Sequence, residues 1–186
     1  MTDIERKASQ ERRPVLYSSY DSDTSWRVRI ALYWKNVEHD TIYIDMAAGE
    51  HLSEAYSKLN PFQKLPCFIT KSGKVLTQSL AIIEYLERAY PDLVHGLRYC
   101  VRHPTPPSFE QRLDTLSGLH CVADQISVAD FCLVPMVYAA KRHKVDMKPY
   151  PNITRIRNTL MTLPEFRNTH PYNQPDCPPD AKGIVQ

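Results

Sequence analysis

No Cys-x-x-Cys pair, no His-Glu-x-x-His and no apolar run of bilayer-spanning length occurs in these 186 residues. The first absence argues against a dithiol redox centre and a zinc ribbon. The second, with seven histidines in no ligand spacing and His120–Cys121 an isolated pair, leaves no metal site to expect. The third leaves no membrane partner to expect. The polar first 13 residues hold no signal-peptide core, so a cytoplasmic protein is expected. Five cysteines, odd in number and irregular in spacing, argue against a disulfide framework. A net charge of +2 gives nucleic acid or an anionic membrane little to bind, and neither is expected as a partner. Glycine is scarce, five residues against fifteen prolines, so proline does most of the punctuation. What remains, 42% hydrophobic and 24% charged, is an ordinary globular composition, long enough for one or two domains.

The apolar run Val15-Leu16-Tyr17 reads as a strand. A hydroxyl-rich turn follows, in which Ser22, Thr24 or Ser25 supplies a helix N-cap. Trp26, Ile30, Tyr33 and Trp34 then recur at helical spacing and predict one buried face. A strand ending in a hydroxyl turn at a helix N-terminus places backbone N–H groups and a positive dipole end around a small space suited to an anion such as a thiolate. Simple helix capping is the other use of the same hydroxyls. Asp40 to Asp45 predicts a second strand, and Ala47 to Leu59 a loop and short helix. Lys64 to Thr70 and Val75-Leu76 predict a hairpin across the Ser72-Gly73 turn. Thr77-Gln78-Ser79 is placed to cap a helix with Ile82, Leu86 and Tyr90 on one side, stopped by Pro91. The order β-α-β-α-β-β-α, parallel strands and then an antiparallel hairpin, is that of a thioredoxin-like domain. Proline directly before a strand suits a turn, and a cis Leu65–Pro66 bond would leave the Leu65 backbone free for an extended ligand. Leu93 to Ser108 has no helical period. Beyond it come a helical fragment at Phe109 to Leu116, a helix opened by the capping box Ser127-Val128-Ala129-Asp130 and running to about His143, and another over Ile153 to Leu163. The proline-rich tail from His170 is expected to hug the surface or be loose.

Four blocks, Ser25–Leu32, Leu59–Pro66, Gln78–Leu86 and Cys121–Pro135, together resemble the zeta-class glutathione transferases, as does His170–Asp176. Members of that class act as maleylacetoacetate isomerases in phenylalanine and tyrosine breakdown. The resemblance implies an enzyme with an α/β thioredoxin-like N-terminal domain and an all-α C-terminal domain, a homodimer, and glutathione as cofactor. The chain then divides into a disordered start (1–13), a glutathione-binding domain (14–91), an irregular linker (92–108), a truncated helical domain (109–170) and a proline-rich tail (171–186). By matching position, Ser22 is the hydroxyl that donates to the glutathione sulfur, with Thr24 beside it in the catalytic turn. Asp23, His51, Leu65, Pro66, Gln78 and Ser79 complete the glutathione set, Gln78 and Ser79 at the γ-glutamyl end and Leu65 at the cysteinyl backbone. Arg142 matches a cation for the substrate carboxylate, and it would equally serve as a solvated helix charge.

Two departures are visible. The family's active-site motif is S-S-C-S-W-R, whereas Ser22-Asp23-Thr24-Ser25-Trp26-Arg27 stands here. The cysteine tied to isomerisation is thus Thr24, and a carboxylate replaces a serine. Asp23, and Asp21 before it, put negative charge near the site, and a carboxylate about 6 Å from a thiolate would raise the bound thiol pKa by about one to two units unless both carboxylates point to solvent. Between Pro91 and Phe109, where the family carries two long helices, this chain has only an irregular stretch. A catalytically weak glutathione-binding or scaffold protein is therefore the alternative reading.

Overall fold

The computed structural model describes residues 12–91 and 106–181. The expected linker lies almost wholly outside them, at 92–105, as do residues 1–11 of the expected disordered start. Four strands form one sheet in the order β2-β1-β3-β4: β1 Val15–Ser18, β2 Asp40–Tyr43, β3 Cys67–Ile69 and β4 Val75–Thr77. β1 and β2 run parallel, and β3 is antiparallel to both β1 and β4. Helices α1 (Asp23–Trp34), α2 (Glu54–Leu59) and α3 (Ser79–Ala89) connect and cover it. The fold is the expected α/β arrangement, a thioredoxin-like domain followed by an all-α part. No described helix is long and apolar enough to cross a membrane.

Alternation along β1 divides the interior. Leu16 enters the main core with Phe68, Ile82 and Leu86. Tyr17 faces the other way, onto a smaller cluster of Ile44, Tyr56, Leu65 and Cys67 under α2. The helical part consists of α4 (Pro106–Leu116), α5 (Val128–Arg142), α6 (Pro151–Leu160) and α7 (Pro164–Asn168). The capping box forms as expected. The Asp130 carboxylate accepts from the Ser127 N–H and hydroxyl, both at 2.8 Å, and from the Cys121 N–H at 2.9 Å.

Several expectations are corrected. α1 is buried along the whole of Ser25–Leu32, because α3 lies against it on one side and α5 on the other. Tyr33, expected on a buried face, is 46% exposed, while Arg27 and Arg29 are buried. The helix expected over 153–163 spans Pro151–Leu160, and a second, short helix opens at Pro164. The fragment expected from Phe109 starts earlier, at Pro106. Over its described residues, 170–181, the tail is packed rather than loose. Pro171 and Cys177 are buried, and the Asp176 carboxylate accepts the Tyr20 N–H at 2.7 Å.

Candidate functional site

Sheet register brings the predicted residues to one end of the molecule. Tyr17 pairs with Cys67, and Cys67 with Thr77. The turn after β1, the turn before β3 and the residue after β4 therefore lie side by side. They carry Ser22, Leu65–Pro66 and Gln78–Ser79 respectively. β2 ends at the same edge, Tyr43 opposite Ser18, and leads to the short turn Glu50–Leu52 that holds His51.

Of the three candidate caps, Ser22 is the N-cap of α1. Its Oγ accepts the Ser25 N–H at 3.2 Å. The same oxygen lies 3.2 Å from Thr24 Oγ1, whose hydroxyl donates to the Leu65 carbonyl at 3.1 Å. Thr24 thus ties the helix start to the cis Leu65–Pro66 turn. The Leu65 backbone is not wholly free, as the sequence suggested, since its carbonyl already accepts one bond. Gln78, expected with its neighbours to cap α3, takes the N-cap place with φ +71° and no capping side-chain bond. Ser79 is the first helical residue and is buried. His51 is half-buried, and its Nδ1 has no hydrogen-bond partner among the described residues.

The two carboxylates of the turn are both neutralised. Asp23 pairs with Arg27 four residues on, at 3.4 Å, and the Arg27 side chain is only 10% exposed. Asp21 pairs with Arg142 at 3.4 Å and accepts the Ser19 hydroxyl at 3.2 Å. Asp23 thus carries a cation at contact distance, which works against the pKa penalty expected from its charge. A pocket of about 250 Å³ opens here, lined by Asp21, Asp23, Tyr138, Ala139, Arg142 and His143. A larger hollow, about 540 Å³, lies between β1, β2 and α2 and holds none of the predicted site residues.

Behind the turn sits a network that sequence reasoning missed. Arg29 donates to Ser18 Oγ and Ser19 O, both at 2.9 Å, to Tyr20 O at 3.2 Å and to Thr169 O at 3.3 Å. Burial pulls its pKa down to about 10, against the pull of Asp176. Burial likewise raises Asp176 above the usual carboxylate range, opposed by its bond from the Tyr20 N–H. The Trp26 indole N–H donates to Thr169 Oγ1 at 3.0 Å and packs edge-on against Tyr138 and His170. An arginine in a helical run carries no signal of burial, and only the Arg-x-Arg pair inside an apolar stretch hinted at it. Cys67, next to Pro66, is fully buried with its thiol pushed up to about 11, so it is protonated at neutral pH.

Fold and site together define the glutathione transferase class. The family model for the N-terminal domain of glutathione S-transferases matches residues 16–98. The maleylacetoacetate isomerase of Dictyostelium discoideum is 34% identical over 218 residues, covering 92% of this chain and 99% of that protein. That of Rattus norvegicus is 33% identical, covering 93% and 99%. Among solved structures, a bacterial maleyl pyruvate isomerase described as a zeta-class glutathione S-transferase superposes with a TM-score of 0.79. It is 29% identical, with 88% of this chain and 100% of that one covered. A maleylacetoacetate isomerase from Methylobacterium extorquens with bound malonate and glutathione gives a TM-score of 0.76 at 26% identity, covering 88% and 99%. This chain belongs to the maleylacetoacetate isomerase family of zeta-class glutathione transferases. An alignment of 218 residues exceeds the 186 of this chain, so the Dictyostelium protein carries residues that this chain lacks.

Proposed function

We propose that this protein is a glutathione-dependent transferase and isomerase of zeta type, acting on maleylacetoacetate in phenylalanine and tyrosine breakdown. The observation that carries the reading is the meeting of a Ser22-capped helix N-terminus, the Leu65–Pro66 turn and the Gln78–Ser79 helix start at one end of the sheet. The site suits glutathione. The Ser22 hydroxyl and the α1 dipole favour a thiolate, and the N-terminus of α3 favours a carboxylate. The unpartnered His51 Nδ1 offers one more polar contact.

When bound, glutathione supplies a thiolate that adds reversibly to a conjugated double bond, leaving a single bond about which cis becomes trans before elimination. Ser22 turns its hydroxyl from Thr24 to the sulfur and holds the proton equilibrium toward thiolate. Thr24 keeps the Leu65 turn in register, so that the Leu65 backbone meets an extended peptide. The first-turn N–H groups of Asp23 and Thr24 have no intrahelical acceptor. Gln78, Ser79 and His51 orient the remainder of the tripeptide. Arg142 stands across the pocket for the acceptor's carboxylate.

The reading includes the division into 14–91 and 109–170, with the residues absent relative to the family falling at 92–108. It also includes a cytoplasmic homodimer. Phe62 and Val75, 65% and 43% exposed, leave apolar positions for a second copy to cover.

Retention on immobilised glutathione, melting with and without glutathione, and turnover of maleylacetoacetate test the proposal. Retention, a raised melting temperature and turnover are expected. Retention and stabilisation without turnover would leave a binding module, and failure of all three would remove glutathione from the reading.

A further inference from the structure

We propose that Asp21 is a specificity-determining residue, setting the affinity of the acceptor pocket for carboxylate-bearing substrates by occupying Arg142. The proposal rests on the glutathione reading above and deepens it. Arg142, in the last turn of α5, is the cation that lines the pocket beside Ser22. Its guanidinium is already engaged. Nη1 donates to the Asp21 carbonyl at 3.1 Å and Nη2 to the Asp21 carboxylate at 3.4 Å, and the group lies 5.8 Å from the Tyr138 ring centroid. The other Asp21 oxygen accepts the Ser19 hydroxyl, so the carboxylate is held at both ends.

Asp21 and Arg142 are 121 residues apart, and their pairing crosses from the thioredoxin-like part to the helical part. It is therefore a contact of the folded site. An entering carboxylate meets a cation with one N–H on the Asp21 carboxylate and another on the Asp21 carbonyl. It competes with Asp21 for the Nη1–Nη2 edge and, on any other edge, meets a charge that the Asp21 carboxylate already offsets in part. An acceptor without a carboxylate at that end meets no such competition. Asp23, the pocket's other carboxylate, pairs with Arg27 and makes no bond to Arg142 among the described residues. The pocket is built to admit carboxylates weakly and uncharged electrophiles without that handicap.

Steady-state kinetics of the full chain with glutathione decide the matter, using maleylacetoacetate and the uncharged 1-chloro-2,4-dinitrobenzene as paired acceptors. In Asp21→Asn the ratio of kcat/KM for the carboxylate over the uncharged acceptor rises about fivefold, the worth of a part-exposed ion pair, through a lower KM. Malonate inhibition of the uncharged reaction tightens by a similar factor. Asp21→Ser, which also lacks the charge, gives the same direction, and adding Arg142→Gln to Asp21→Asn abolishes the gain. A ratio within about twofold of the parent in both Asp21 variants, with glutathione retention intact, overturns this proposal alone. Loss of glutathione retention by the parent chain overturns it together with the reading beneath it.

Discussion

Replacing Arg29 by methionine removes the brace behind the turn that carries Ser22. Arg29 is 5% exposed, and its guanidinium serves four acceptors, three of them backbone carbonyls at Ser19, Tyr20 and Thr169. Each buried acceptor stripped of its donor costs about 1–3 kcal/mol. Methionine returns part of this, because it does not have to bury a charge, and that burial is what pulls Arg29 down to about 10. Water re-pairs the more open carbonyls, and Asp176 loses its nearest cation. The balance is a loss of about 3–5 kcal/mol, or about 10 °C in melting temperature for a chain of this size. The functional effect follows from the chain path, because the Ser22 N–H donates to the Ser19 carbonyl at 3.2 Å. Once Ser19 shifts, the cap shifts with it, and glutathione affinity falls by about tenfold. Thermal melting and isothermal titration with glutathione measure the two effects on one preparation, and Arg29→Lys falls between. A melting temperature within about 2 °C of the parent, with unchanged affinity, would refute the bracing argument.

Three further outcomes are expected. Ser22→Ala lowers kcat by about 10²–10³ while glutathione retention persists, and costs about 1 kcal/mol through the lost cap; an unchanged kcat would remove Ser22 from the chemistry. Thr24→Cys raises isomerase turnover, whereas adding Asp23→Ser moves the bound thiol pKa by less than about half a unit, since Arg27 already offsets that carboxylate; a thiolate absorbance titration reads it. His170 is held down at about 4, chiefly by burial and then by Arg157 and Arg29, so the unfolded chain binds its proton first as pH falls. Stability is full above about pH 6.5 and is lost progressively toward about pH 4, by about 1–2 kcal/mol after solvent screening of this half-buried ring. His170→Phe flattens that part of the pH–melting curve, and an unchanged slope would contradict the assignment.

Much of the N-terminal half was legible because its signals are local. Strand length, the Ser72-Gly73 turn and the proline before β3 each depend on a few adjacent residues, and the sheet formed as those residues predict. What escaped is long-range. The Asp176 carboxylate reaches Tyr20 across 156 positions, and no periodicity announces such a contact. The helical period misjudged α1 because it presumes one wet face, whereas α3 and α5 cover this helix from two sides. The hydroxyls of the site were legible as a group. Which one caps, and that Thr24 bonds the Leu65 carbonyl, depends on the cis turn brought up 41 residues away. Gln78 at φ +71° gave no sequence sign, since glutamine is not a residue that favours the left-handed region.

The bond from the Tyr20 N–H to Asp176 also bears on the order in which a ribosome makes this protein. The sheet, α1 and both helix starts of the candidate site are synthesised early. The brace on the turn before Ser22 comes later, when Thr169 and Asp176 leave the exit tunnel. A nascent or tail-clipped chain therefore has the strands of the site without its final alignment. The alignment of the candidate site thus depends on a segment some 150 residues downstream of it, and cleavage between Thr169 and Asp176 is expected to loosen the turn before Ser22 without touching it.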